Sequence, residues 1–133
     1  MEHALWTVYI DGSAKPNPGK MGIGGVIHGP DGRHSTFSHA LTHTGCNNEA
    51  EAHAALHALQ WLHAQGAQHV LLYTDNSILA QQLGPAPARP IVRLAALYDT
   101  VRAQLRAFAS AQVQWLPRHK NEVADALSRV HTI

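Results

Sequence analysis

Two aspartates follow apolar runs of the chain, at positions where carboxylates can bind a metal ion. Asp11 ends the run ALWTVYID (4–11), and Asp75 ends HVLLYTD (69–75). Both runs are rich in β-branched and aromatic residues, which is typical of strands. An aspartate at a strand end can cap the following turn, or it can hold a metal at the open end of a sheet. A metal site needs further carboxylates nearby.

Glu51 is a third candidate ligand, because it falls on the inner side of a predicted helix over 47–66. At about 100° per residue, Glu51 lines up with Ala55 and Ala58, whereas Glu49 falls on the opposite, solvated side. An unpaired charge on the sheet-facing side would be costly. Glu51 can simply cap the first helical turn. Together with two strand-end aspartates, however, it favours a carboxylate cluster that a cation neutralises.

The elements that must position these carboxylates follow from apolar runs separated by turn clusters. A meander of strands followed by alternating helices and strands predicts an α/β fold, a mixed sheet with helices packed on it, in one domain (1–133). Ligands of such sheets bind at the carboxyl ends of the strands. The Pro-rich segment 84–90 is predicted to join two helices. Strands are predicted at 4–11, 21–28, 33–41, 69–75 and 112–117, and helices at 47–66, 76–83, 91–108 and 121–130.

The composition excludes several classes of protein. The chain is 45% hydrophobic and 14% charged, as in ordinary globular domains. No apolar run approaches the roughly 20 residues of a membrane span, and MEHALW lacks the basic start of a signal peptide. The single cysteine, Cys46, excludes an internal disulfide framework. We therefore expect a cytoplasmic protein without a membrane partner, and the net charge of +1 gives no general affinity for nucleic acid.

Several other residues of types that often form functional sites are predicted to have structural roles only. Asp125 lies opposite the apolar stripe of the last predicted helix, so periodicity alone makes it a surface residue. The i, i+4 pair His53 and His57 has helical metal-site spacing, but no acid or third histidine has an evident place beside it, so a zinc site is disfavoured. Trp61 and Trp115 are predicted to lie in the core.

With these motifs in view, the chain resembles type 1 ribonuclease H. The resemblance rests on YIDGS, NNEAEAHAAL, YTDNS and WLPRHKNEVADAL, in that order and at suitable spacing. It implies a five-stranded mixed sheet, an antiparallel meander followed by parallel strands, flanked by helices. It also implies a monomeric endonuclease that hydrolyses the RNA strand of RNA–DNA hybrids, leaving 5′-phosphate and 3′-hydroxyl ends. The cofactor implied is a pair of Mg²⁺ ions, with Mn²⁺ as a possible substitute.

Carried over residue by residue, the family's catalytic and metal-binding carboxylates fall on Asp11, Glu51, Asp75 and Asp125. The spacing from the paired asparagines selects Glu51 and not Glu49, in agreement with its helical face. The spacing from the NE pair selects Asp125, against its predicted surface position. Asp11 would bridge the two metals.

The resemblance also implies contacts with the substrate. Asn47 and Asn48 match an amide pair that reads the minor groove of the hybrid, and Gly12, Ser13 and Asn17 match a loop that lies along the RNA. Turn formation and helix capping are the alternative roles of these residue types.

The chain departs from the family pattern at several points. Cys46 stands where relatives usually have Thr in contact with a DNA phosphate, and the segment 84–90 replaces a basic protrusion, so we expect modest, salt-dependent affinity. Arg118 either meets a phosphate or is surface charge. His119 either helps catalysis or is a solvated loop residue.

Two alternative functions stay open: a nuclease of the same fold acting on another duplex, and a catalytically weak hybrid-binding module.

Overall fold

A computed structural model describes residues 4–86 and 89–130, so the middle of the predicted joint at 84–90 lies outside the described residues. The described part forms one five-stranded sheet flanked by helices. None of these helices is long and apolar enough to cross a membrane. The strands are β1 (Leu5–Lys15), β2 (Gly19–His28), β3 (His34–Gly45), β4 (His69–Thr74) and β5 (Ser110–Trp115), and the helices are α1 (Asn47–Ala64), α2 (Ser77–Leu83), α3 (Ala95–Arg106) and α4 (Glu122–Ser128).

The sheet has the strand order β3-β2-β1-β4-β5. β1, β2 and β3 form an antiparallel meander, and β4 and β5 continue the sheet parallel to β1. The predicted mixed sheet is therefore confirmed. The helices begin and end close to the predicted residues, except that a 3₁₀ turn (Val92–Leu94) precedes α3.

The first strand does not end at Asp11, as the sequence predicted, but continues to Lys15. Among the described strands, this extension of β1 pairs with β2 alone, and the two form a long hairpin. The parallel pairing with β4, by contrast, ends at Ile10 opposite Thr74. Asp11 and Asp75 therefore follow the last paired residues of two adjacent parallel strands, which places them side by side at one edge of the sheet.

Helix α1 packs closely on the centre of the sheet, because the side that faces β1 is made mostly of alanine. Ala50, Ala54, Ala55 and Ala58 are fully buried there. At Gly12 the approach is so close that an added Cβ would lie 2.3 Å from the backbone carbon of Ala50. Gly12 thus lets the start of α1 lie directly on β1, which brings Glu51 beside Asp11.

Gly12→Ala is expected to lower the free energy of unfolding by roughly 1–3 kcal/mol, since the methyl group must push α1 away from β1. Urea unfolding monitored by circular dichroism measures the change. Gly32→Ala is the control for backbone strain alone, because no atom of the described residues lies within 4 Å of a Cβ at Gly32. Its left-handed φ of 75° makes this substitution cost about 1–2 kcal/mol without any clash. A Gly12→Ala protein as stable as the wild type would contradict this packing.

The tryptophans are distributed differently from the prediction. Trp6 is buried and packs edge-on against the half-buried Trp61, with ring centroids 6.1 Å apart. The prediction that Trp115 lies in the core was wrong, since this residue is 50% exposed at the end of the edge strand β5. Its indole N–H donates to the backbone oxygen of Asp75 at 3.1 Å. Trp115 therefore helps to fix the chain where Asp75 follows β4.

Candidate metal-binding active site

Three carboxylates from separate elements meet at the edge of the sheet. One oxygen from each of Asp11, Glu51 and Asp75 lies within 4.8 Å of the others. Asp11 and Glu51 are only 5% and 3% exposed, and Asp75 is half-buried. Carboxylates this close repel one another unless a proton or a cation neutralises them. Oxygen ligands of this kind suit a hard divalent cation.

The electrostatics of the cluster also favour a bound cation. Burial, together with the nearby charges of Asp75 and Asp125, raises the pKa of Asp11 to about 6. Burial, together with the hydrogen bond to Asp11 and its charge, raises the pKa of Glu51 well above its usual value. Within the described part of the chain, the Oε2 atom of Glu51 is buried without a hydrogen-bond partner. An unpartnered carboxylate oxygen is costly to bury, and coordination to a cation would remove that cost.

Helix α4 presents a different face to the sheet from the one that periodicity predicted. Val123 is 62% exposed, whereas Ala124 and Ser128 are buried. Small residues face the sheet here because α4 packs against glycines of β2. A Cβ at Gly24 would lie 2.4 Å from the backbone nitrogen of Ser128. The predicted surface position of Asp125 was therefore wrong, since its side chain is half-buried on the flank of the true inner face.

Asp125 lies beside Asp11 but is paired with a cation from its own helix. The guanidinium of Arg129 donates to both carboxylate oxygens of Asp125 at 3.2 Å. Burial is the main cause of the raised pKa of Asp11, and a hydrogen bond with Asp125 and the charge of Asp125 add to it. Asp125 is thus adjacent to the three clustered carboxylates, and any metal that it bound would compete with Arg129.

Two residues that sequence reasoning missed hold the aspartates in place. The side-chain amide of Asn121 donates to the Ile10 backbone oxygen at 2.8 Å and to Asp75 Oδ2 at 3.1 Å. The hydroxyl of Ser128 donates to Asp11 Oδ2 at 3.2 Å. Asn121 precedes a helix, a position typical of caps, but its side chain makes no capping hydrogen bond. The sequence signal that could have indicated a role for Asn121 is the NE pair (Asn121 and Glu122), from which the position of Asp125 was counted.

The predicted substrate-contacting amides form a connected group near the start of α1. Asn47 Oδ1 accepts from the Ala14 backbone at 2.7 Å, and the Asn47 backbone donates to Asn17 Oδ1 at 3.0 Å. The side chain of Asn76 donates to Asn48 Oδ1 at 3.0 Å. These hydrogen bonds therefore connect the end of β1, the β1–β2 turn and the turn after Asp75 to the first turn of α1.

The remaining predicted contacts have partners within the protein. Gly12 is buried under α1, and the hydroxyl of Ser13 donates to the Ser128 backbone oxygen at 3.1 Å. Cys46 caps α1, since its sulfur accepts from the Glu49 backbone at 3.4 Å and from Arg93 at 3.3 Å. Burial opposes ionisation of the Cys46 thiol, but these hydrogen bonds and the Arg93 charge lower its pKa overall.

Arg118 and His119 lie on an exposed 3₁₀ turn (Arg118–Lys120) that leads into α4. His119 lines a cavity of about 350 Å³ together with Tyr9 and His28, on the face of the sheet opposite α1. The structure places this turn directly before Asn121, whose amide reaches Asp75. The side chain of Arg118 has no hydrogen-bond or ion-pair partner among the described residues.

Comparisons with known proteins agree with this geometry. The family model described as reverse transcriptase-like matches residues 9–131. Ribonuclease H of Cyanothece sp. is 39% identical over 76 residues, which is 57% of this chain and 48% of that protein. The chain thus aligns with about half the length of this relative.

Two solved structures share the fold at higher coverage. RNase H1 of Halobacterium salinarum is 28% identical, with a TM-score of 0.85 over 93% of this chain and 94% of its own. LC11-RNase H1, isolated from compost and solved in complex with an RNA/DNA hybrid, is 26% identical, with a TM-score of 0.75 over 92% and 93% of the two chains. The chain therefore belongs to the reverse transcriptase-like family, and its resemblance to type 1 ribonuclease H is confirmed.

Proposed function

We propose that this protein is an endonuclease that hydrolyses the RNA strand of RNA–DNA hybrids. The observation that carries the proposal is the convergence of Asp11, Glu51 and Asp75 with an unpartnered, buried oxygen on Glu51. This donor set suits Mg²⁺, which prefers carboxylates supplemented by water and substrate oxygens. The RNase H1 neighbours, one of them solved with an RNA/DNA hybrid, support this substrate class.

Each residue of the site has a defined part in the proposed reaction. Asp11, Glu51 and Asp75 would hold the metal, and Asn121 and Ser128 keep the two aspartates in position. Two bound Mg²⁺ ions would supply an activated water and stabilise the leaving 3′ oxygen of the phosphodiester. Asp125 would add a further carboxylate ligand if its pairing with Arg129 were released.

The substrate would lie across the amides at the start of α1. Asn17, Asn47 and Asn48 offer carboxamide groups that can hydrogen-bond to base edges and to 2′-hydroxyls in a wide, shallow minor groove. Gly12 and Ser13 would hold the backbone of β1 in place beside these amides. Cys46 would approach the DNA phosphate together with Arg93, whose guanidinium already contacts its sulfur.

Several finer features belong to the same proposal. We infer a single domain over 1–133 that acts as a monomer in the cytoplasm, with Mg²⁺ as the working cation and Mn²⁺ as a substitute. Arg118 would contact a phosphate at the entrance to the site. A part for His119 in proton transfer or product release stays a prediction, as does the modest, salt-dependent affinity expected without a basic protrusion.

A substrate panel tests the proposal. The protein is incubated with an end-labelled RNA–DNA hybrid, single-stranded RNA, duplex RNA and duplex DNA, each with Mg²⁺, Mn²⁺ or EDTA. We expect metal-dependent cutting of RNA in the hybrid alone. Cutting of another duplex would keep the site and change the substrate, whereas binding without cutting in either metal would identify a hybrid-binding module.

A further inference from the structure

We propose that His43, Glu49 and His53 form a second metal site, which binds Zn²⁺ or a similar transition-metal ion and is independent of the carboxylate cluster. One ligand atom from each of the three lies within 4.8 Å of the others. The expectation that no acid or third histidine stands beside His53 was therefore wrong. One neighbour, Glu49, lies one turn before His53 on the same helix, and the other, His43, comes from the preceding strand, where helical spacing could not reveal it.

The distances fit tetrahedral coordination. His43 Nε2 lies 3.4 Å from His53 Nε2 and 3.8 Å from Glu49 Oε2. Two nitrogen ligands at a Zn–N distance of about 2.0–2.1 Å, in tetrahedral geometry, are about 3.4 Å apart. The two imidazoles therefore already stand at the separation that a zinc ion requires, and Glu49 needs only a small rotation to complete a His₂Glu set.

The local fold brings these three side chains together. Glu49 and His53 are one turn apart on α1, and His43 comes from the last residues of β3. The register between β2 and β3 shifts in this stretch, which places extra residues of β3 opposite Met21. A Cβ at Gly45 would lie 2.7 Å from the carboxyl carbon of Glu49, so the absence of a side chain there lets Glu49 lean towards β3.

The chemistry of the ligands separates this site from the first one. Imidazole nitrogen favours Zn²⁺, Cu²⁺ or Ni²⁺, whereas Mg²⁺ favours all-oxygen sites. The side chains of His43 and Glu49 are 52% and 23% exposed, so water can reach the ion and supply a fourth ligand. The two sites should therefore differ in cation preference: the carboxylate cluster should bind Mg²⁺, and the site between β3 and α1 should bind a transition metal.

Zinc binding to designed variants tests the proposal. Zn²⁺ is titrated calorimetrically into the protein in excess Mg²⁺, first as wild type and then as Asp75→Asn, which weakens the carboxylate site. We expect one equivalent to bind in both. His43→Gln/His53→Gln should lower the affinity by at least about 100-fold, because it removes both nitrogen ligands. Thermal unfolding with and without Zn²⁺ gives a second readout, since a bound ion raises Tm only where the site is intact.

The matched control is His34→Gln/His69→Gln, which removes the same number of histidines from other places on the chain. This variant should keep the wild-type affinity for Zn²⁺ and its rise in Tm. Equal weakening in both double variants would show unspecific binding by surface histidines and overturn the proposal. Undiminished zinc binding in His43→Gln/His53→Gln would also overturn it, and would leave the short nitrogen–nitrogen distance as a hydrogen bond between the two imidazoles.

Discussion

Asp75→Asn is expected to reduce hybrid cleavage by on the order of 1,000-fold or more while leaving hybrid binding within about a factor of two. The substitution removes the charge that a metal needs but keeps the shape of the side chain and an oxygen that can accept from Asn121. Cleavage is measured with Mg²⁺ on an end-labelled hybrid. Binding is measured by fluorescence anisotropy in EDTA, so that the wild type and the variant are compared without turnover.

Asp31→Asn is the control for this experiment, because it removes the same charge from an exposed turn between β2 and β3. Asparagine also tolerates the left-handed φ of 60° found at this position. This variant should cleave like the wild type. Wild-type rates in Asp75→Asn would show that the carboxylate cluster is not the catalytic centre.

In the absence of metal, the protein is expected to lose stability as the pH rises from about 4 to above 6. The folded-state pKa of Asp11 is about 6 against an ordinary value of 3.8, so the folded protein binds a proton more tightly than the unfolded chain. The stability from this proton is fully present below the unfolded pKa and is lost as the pH rises through the folded pKa. For Asp11 the loss is on the order of 3 kcal/mol, and Glu51, whose pKa is also raised, adds to it.

Thermal unfolding between pH 4 and 8, in EDTA and in Mg²⁺, measures this loss. Mg²⁺ should restore Tm at neutral pH, because the cation takes over the role of the protons. Glu51→Gln should raise Tm in EDTA at pH 7 and reduce the gain from Mg²⁺, whereas the exposed Glu122→Gln should change neither. A metal-free Tm that increases steadily from pH 4 to 8 would rule out this linkage.

The central part of the site could be predicted because its signals are local. Helical periodicity places Glu51 and Glu49 on opposite sides of α1, and the structure finds Glu51 buried and Glu49 partly exposed. Strand patterns likewise indicate that Asp11 and Asp75 follow apolar strands. Parallel neighbours end at the same edge of a sheet, so the two aspartates meet once β1 and β4 pair, and that long-range pairing comes from the structure.

The rest of the site depends on contacts that no single segment contains. The inner face of α4 was mistaken because glycines in β2 admit Ala124 and Ser128 more closely than Val123. His43 could not be assigned to His53 without the register shift at the end of β3. Trp115 is apolar but belongs to an edge strand, and only the strand order shows that.

The separation in sequence of the groups that meet at the carboxylates has a consequence during synthesis on the ribosome. Ser128 contacts Asp11 across 117 residues, and Asn121 contacts Ile10 across 111. Asp11 therefore leaves the ribosome early, whereas Ser128, which donates to it, is synthesised only after most of the chain. A nascent chain truncated before α4 lacks the groups that orient both aspartates, so we expect nuclease activity only after translation has passed α4.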